Sequence, residues 1–227
     1  MIKIFKKFYF YLTKPSKTFQ SDIKLLHFYY SKLVIKYVHK FEFIEQKKYF
    51  YPNFSDLLFL IKIILKYNPK RCVEIGGGYS TFFILKALEK NFKKDGIKPS
   101  LLSFEQDEKY LEIHKKFLKE NLSMATYDFL CLKKTNLEIS DFLNTKVSRC
   151  QNLNIKKIDF FYEDRTDHDT HKIAGDALIL EHNSETDFII VIDGMIKTVE
   201  FYKKNLKKNY KINGGFFTGT SFIPDLK

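Results

Sequence analysis

The chain has 227 residues, 44% hydrophobic and 29% charged, with 24 Phe and 14 Tyr; this suffices for one α/β domain with a short appendage and excludes two full domains. The same balance excludes a disordered chain, and lysines interrupt every apolar run short of the ~20 residues that a spanning helix needs, leaving a soluble or peripheral protein. The net charge of +12 suits nucleic acid, an anionic membrane surface or an acidic substrate, but the lysines are scattered instead of gathered into phosphate-tracking arms, so no nucleic-acid partner is favoured.

Residues Met1 to Leu12 resemble a signal peptide only superficially, because Lys3, Lys6 and Lys7 are spread through the apolar residues and no small-residue cleavage site follows. The segment is expected to stay in the mature chain. Cys72, Cys131 and Cys150 are an odd number without metal-type spacing, so neither a disulfide framework nor a zinc knuckle is expected, and a reducing cytoplasm fits. Residues 1–50 are read as an N-terminal helical appendage: Ile23, Leu26, Tyr30, Leu33, Val34 and Tyr37 recur at helical spacing after a Ser21–Asp22 cap. It either packs on the main domain or forms a basic surface for a membrane or for closing over substrate; its narrow polar face favours packing.

Residues 51–227 are read as the main domain. A helix over Ser55–Tyr67 stops at Asn68 and Pro69. Cys72–Ile75 reads as a short apolar strand, Gly76–Gly78 as a turn, and Ser80 or Thr81 as the cap of a helix reaching about Asn91. Leu101–Glu105 reads as the next strand, and Asp107–Glu120 as a helix with Tyr110, Ile113 and Phe117 on one face. Ala125–Leu132 and Ile158–Tyr162 have strand character, separated by a stretch, Thr135–Lys157, with little periodic pattern. Asp187–Asp193 holds an unbroken apolar run suited to the buried centre of a parallel sheet. Lys197–Lys208 reads as a helix, and Tyr210–Thr220 as a single last strand with Gly214 and Gly215 at its turn.

The turn Val73-Glu74-Ile75-Gly76-Gly77-Gly78-Tyr79-Ser80 brings backbone close to a ligand at a strand-to-helix junction. A dinucleotide site would have GxGxxG, and here Thr81 takes the third glycine position. An acidic residue before the glycines also repels pyrophosphate and suits a cationic ligand. This segment resembles motif I of the class I S-adenosylmethionine-dependent methyltransferases, an acidic residue followed by glycines, with Ser80 in the Gly-x-Gly-x-Ser form of the small-molecule subgroup. The resemblance implies a Rossmann-like, mostly parallel twisted sheet flanked by helices. It also implies S-adenosyl-L-methionine held by Glu74, Gly76, Gly77, Gly78, Tyr79 and Ser80, with Glu74 toward its aminoacid end. Glu105, ending the second strand, stands where a carboxylate can accept both ribose hydroxyls of an adenosine.

Ile190-Val191-Ile192-Asp193-Gly194 resembles the family's fourth-strand motif, which implies that Asp193 lies at the methyl-bearing end of the cofactor. Its task would be to hold the methionyl amine, orient an acceptor hydroxyl or accept its proton; the alternative is a strand-ending Asp that caps the next helix. The polar run Glu163, Asp164, Arg165, Asp167, His168, Asp169 and His171 has three readings: a general base toward an alcohol through His168 or His171, a divalent metal site, or a solvated loop. His168 and His171 are expected to serve in acid-base or substrate contact, and no metal is expected.

The sequence thus points to O-methylation of a small or carbohydrate-type acceptor, with an anionic sugar suiting the positive field. The competing class is a noncatalytic Rossmann-like protein that binds a nucleoside or partner and docks on RNA or a membrane through its basic surface; a nicotinamide oxidoreductase comes third. Oligomeric state leaves no mark in the sequence.

Overall fold

The computed structural model describes residues 54–151, 153–164, 173–193, 195–214 and 219–225, all within one of the chain's two units, Asn53–Lys227. The expected N-terminal appendage, His168, His171, Gly194 and Gly215 lie outside the described residues.

Helix α1 (Phe54–Tyr67) buries Leu57, Leu60, Ile61 and Ile64, a spacing that gathers them on one face, and packs on α2 (Tyr79–Asp95). Its end is fixed twice. Asn68 turns into the left-handed region at φ 51°, and the Asn91 side chain of α2 donates to the Ile64 carbonyl at 2.9 Å. Strand β1 (Arg71–Ile75) follows, tied at its start to the later strand β6 (Phe160–Glu163) by Asp159, which accepts from the backbone amides of Lys70 and Arg71 and from the Arg71 guanidinium.

Strand β2 (Ser100–Glu105) leads into α3 (Glu108–Asn121), whose first turn is capped by Asp107 accepting from the Tyr110 amide at 2.9 Å. Then come α4 (Met124–Tyr127), β3 (Leu130–Lys134), a hairpin of β4 (Leu137–Phe142) and β5 (Thr145–Cys150), and β6. Strand β7 (Ile173–Ala174), α5 (Asp176–Asn183), β8 (Ile189–Ile192), α6 (Ile196–Asn205), β9 (Tyr210–Gly214) and β10 (Thr220–Pro224) complete the described elements.

Seven strands form one sheet in the order β3-β2-β1-β6-β8-β10-β9. Its first five are parallel, and β10 runs antiparallel to both β8 and β9. The chain starts at the centre, moves outward to β3, and then crosses back to β6 on the other side of β1. That reversal opens a crevice at the carboxyl ends of β1 and β6, where open α/β sheets bind ligands. The fold is the Rossmann-like, mostly parallel sheet flanked by helices that the sequence led us to expect.

Four details correct the sequence reading. The strand beside β1, the fourth in the parallel series, is β6; the Ile190–Asp193 run forms β8, one place further out, because β6 pairs with β1 in the register Val73–Phe161. Ala125 begins no strand: Ser123 caps a short helix by accepting from the Thr126 amide, and β3 starts only at Leu130. The patternless stretch after Thr135 folds as the β4–β5 hairpin, turning through Leu143 and Asn144 at φ 47° and 62°, values that suit a two-residue hairpin turn; β5 also pairs with β7 in a separate small sheet. Tyr210–Thr220 is not one strand, since β9 and β10 form an antiparallel pair in the register Phe222–Ile212.

Among the described residues no helix is long and apolar enough to cross a membrane. Because Ile64 is fully buried between α1 and α2, Ile64→Ala should cost about 2–5 kcal/mol, read as a lowered midpoint in urea unfolding.

Candidate active site

Four strand ends meet at one level of the sheet. The amides of Gly76 and Gly77 donate to the Phe104 carbonyl, that of Asp164 to Ile75, and that of Asp193 to Glu163, all at 2.9–3.0 Å. These bonds set Glu105, the glycine turn, Asp164 and Asp193 side by side along the carboxyl edge.

At the centre lies Glu74, fully buried in β1. Its Oε1 accepts from the Ser80 hydroxyl at 2.6 Å, and its Oε2 accepts from Thr81 at 2.6 Å and Ser103 at 2.7 Å. Thr81 also accepts from the Gly78 amide at 3.0 Å, so one hydroxyl joins the turn to the carboxyl. Ser80 and Thr81, the two departures from glycine-only patterns, are thus the hydroxyls that a buried carboxyl requires. Burial pushes Glu74 up to about 7; the three hydroxyl donors pull the other way, and the neighbouring Glu105 charge adds to the rise.

The turn needs its glycines for two different reasons. Gly76 sits at φ 90°, a conformation that disfavours any side chain. A Cβ on Gly77 would come within 2.9 Å of the Ser103 Oγ, which is already committed to Glu74. Beneath the turn His114 is fully buried and stacked with Tyr110 at 6.1 Å between ring centroids. Burial lowers its pKa to about 3, against an opposing interaction with the Gly78 backbone, so this imidazole is neutral at working pH.

Glu105 is nearly buried at the end of β2. Its Oε1 accepts the amides of Gln106 and Asp107 at 2.8 and 2.9 Å, while Oε2 takes no hydrogen bond among the described residues. Burial raises its pKa more than those amides lower it.

On the other side of the crevice the ends of β6 and β8 carry Tyr162, Asp164 and Asp193. The Tyr162 hydroxyl donates to Asp193 Oδ2 at 3.4 Å. Asp56 is buried in the first turn of α1, and its carboxyl works against the rise that burial imposes on Asp193. Burial raises Asp164 and Asp193 above the usual carboxylate range; the surrounding carboxylates raise Asp164 further, and Asp56 and the Tyr162 hydroxyl hold Asp193 back.

Of the residues expected from the sequence, the structure gathers Glu74, Gly76, Gly77, Gly78, Tyr79, Ser80, Glu105 and Asp193 at this one edge. Sequence reasoning missed Asp56, Tyr162 and His114. The available signals were an acidic residue in the first turn of a largely apolar helix, and a tyrosine in a strand whose other residues are apolar or acidic. Among the described residues no group of three or more His, Cys, Asp or Glu side chains is arranged to hold a metal ion.

Comparison of the whole fold with solved structures finds an O-methyltransferase from Bacillus cereus in complex with SAH, with a TM-score of 0.50 and 13% identity over 85% of this chain and 89% of that one. It also finds a protein from Staphylococcus aureus assigned as a caffeoyl-CoA O-methyltransferase, with 0.54 and 16% over 88% and 96%. A cofactor-bound protein from MTB, Rv0187, gives 0.53 and 12% over 92% and 97%. The fold is that of the class I methyltransferases. No family model and no curated protein sequence matches the chain.

The Glu74 environment makes folding pH-dependent. The folded carboxyl titrates near 7 against an ordinary 4.5, so its contribution is full below 4.5 and lost as pH rises through 7. His114 works in the opposite sense, its contribution being full above 6.5 and lost as pH falls toward 3. Subtracting the stability curve of Glu74→Gln from that of wild type isolates the first effect. Wild type should lose roughly 3 kcal/mol relative to the variant between pH 4 and 8, measured by chemical denaturation; parallel curves would show that the buried carboxyl ionises as it does in the unfolded chain.

Proposed function

We propose that the chain is an S-adenosylmethionine-dependent O-methyltransferase acting on a small, hydroxyl-bearing acceptor such as a carbohydrate. The strongest support is the pairing on one side of the crevice: Glu105 presents a carboxylate oxygen at the end of β2, and the Gly76–Gly78 turn beside it lets a ligand approach the backbone. The residues present fit the cofactor. Glu105 Oε2 suits a ribose diol, the side-chain-free turn suits the methionyl chain, and the carboxyls of Asp164 and Asp193 suit a positively charged centre. When bound, S-adenosylmethionine supplies an electrophilic methyl group for direct transfer.

This chain's part is then positioning and proton management. Glu74 acts from inside the protein: its three hydroxyl bonds fix the turn against β2 and α2, so Gly76, Gly77, Gly78, Tyr79 and Ser80 present a rigid backbone. Asp193, at the end of β8, orients the acceptor hydroxyl and accepts its proton as the new bond forms. His168 and His171, outside the described residues, are further candidates for that second task.

An anionic acceptor, which the net charge suggested, is disfavoured at this edge, because a phosphate would meet the row of carboxyl groups of Asp56, Asp164 and Asp193 instead of cationic partners; a neutral acceptor fits better. A cytoplasmic setting agrees with Cys72, Cys131 and Cys150 forming no disulfide.

Calorimetry with S-adenosylhomocysteine, with NAD as comparison, tests the reading. Selective binding of S-adenosylhomocysteine that weakens by about 1–3 kcal/mol in Glu105→Ala is expected. Absence of binding by the wild-type protein would overturn it in favour of a noncatalytic, partner-binding role.

A further inference from the structure

Helix α3 ties Glu105 to the underside of the glycine turn. Glu105 Oε1 accepts the Asp107 amide at 2.9 Å, and Asp107 in turn accepts the Tyr110 amide at 2.9 Å. One helical turn further on, on the same face, stands His114, stacked on the Tyr110 ring with 6.1 Å between centroids and 28° between planes. Both side chains press on the turn: a Cβ on Gly78 would lie 3.3 Å from the Tyr110 hydroxyl oxygen, and one on Gly77 would lie 3.7 Å from His114 Nδ1. His114 is fully buried, and among the described residues neither of its ring nitrogens has a hydrogen-bond partner.

A buried imidazole without a partner is costly, and an apolar ring of similar size would fill the space without that cost. What the apolar ring lacks is an N–H to give. The three amides of the turn are already engaged, those of Gly76 and Gly77 with the Phe104 carbonyl and that of Gly78 with the Thr81 hydroxyl. The turn can therefore pair with the imidazole only through its carbonyl oxygens, each of which has two lone pairs. The ring must donate, and the nitrogen placed against the turn is Nδ1. We propose that His114 is a positioning residue for the cofactor: it carries its single proton on Nδ1 and donates it to a carbonyl of the Gly76–Gly78 turn when the cofactor settles on that turn. The proposal rests on the methyltransferase reading above.

The surroundings agree. Burial keeps the ring neutral, so it has one N–H to place, and the Gly78 backbone favours a proton on it. The stack on Tyr110 fixes the plane of the ring. Ser103 Oγ and Leu132 Cδ1 crowd the same glycine, at 2.9 and 3.6 Å from the Cβ position of Gly77, so a small displacement of the turn alters its contact with Nδ1 directly. Hydrogen bonds of a functional site are often long in the free protein and tighten when ligand binds. Helix α3 then links both expected cofactor contacts, Glu105 at its start and the glycine turn along its flank.

The role can be tested without knowing the acceptor. Nitrogen NMR of the full chain labelled at histidine reads the tautomer, with His114 assigned by the loss of its signals in His114→Asn. In the complex with S-adenosylhomocysteine the ring should be protonated on Nδ1, with that proton moved downfield relative to the free protein. A ring protonated on Nε2, or signals indifferent to the ligand, would overturn the proposal. Two variants separate donation from filling. His114→Asn places an amide N–H where Nδ1 stands and should keep S-adenosylhomocysteine affinity within about threefold. His114→Phe keeps the stack on Tyr110 but has no proton to give. It should match or exceed wild type in urea unfolding, because the unpaired nitrogens are gone, yet bind at least about fivefold more weakly. A Phe variant that binds as tightly as wild type would show that His114 only fills space. Absence of binding by the wild-type protein would instead remove the methyltransferase reading, and the role of His114 with it.

Discussion

The carboxyl of Glu74 has no contact with solvent, and everything around the crevice follows from how that burial is accommodated. A carboxyl in the interior is costly unless its oxygens are hydrogen-bonded. Its three donors come from two elements, Ser80 and Thr81 from α2 and Ser103 from β2. Satisfying Glu74 therefore forces the start of α2 against β2, which sets the path of the glycine turn, and the turn in turn must pass Ser103 so closely that Gly77 has room for no side chain. Local sequence, packing and the shape of the site are here one constraint.

The same edge concentrates carboxyl groups in a chain whose net charge is +12. Glu74, Glu105, Asp56, Asp164 and Asp193 are drawn from five different elements and are kept largely from water. Burial raises the pKa values of Glu74, Glu105, Asp164 and Asp193, and for Glu74 and Asp164 the neighbouring carboxylates add to the rise. A protein with a basic surface and an acidic cleft separates solubility and steering, which act over the exterior, from recognition, which acts at short range.

Much of the core fold was legible. The apolar run into glycines at Cys72–Gly78, the Asp107 cap and the continuous apolar strand ending at Asp193 are local signals, and each element formed within a few residues of its expected bounds. Strand order was not legible, because pairing of β6 with β1 is decided by long-range packing of Phe160 and Phe161 rather than by any local pattern. The β4–β5 hairpin was also hidden: in Leu137–Phe142 every side chain is intermediate or exposed, so the alternation that marks a half-buried strand is weak. On the site side, Glu74 and Glu105 were visible because they stand at or next to the ends of strands that lead into turns. Asp56 was not, since it joins the edge only when α1 docks on α2 and its first turn arrives at the end of β8.

The central claim is that the Glu74-anchored turn and Glu105 form one nucleoside-binding edge. A crystal structure of the protein with S-adenosylhomocysteine tests it most directly. The account predicts the ribose hydroxyls on Glu105 Oε2, the thioether over Gly76–Gly78, and Glu74 still enclosed by Ser80, Thr81 and Ser103; a nucleoside seated away from the ends of β1 and β2, or a Glu74 carboxyl drawn out to contact it, would contradict the account.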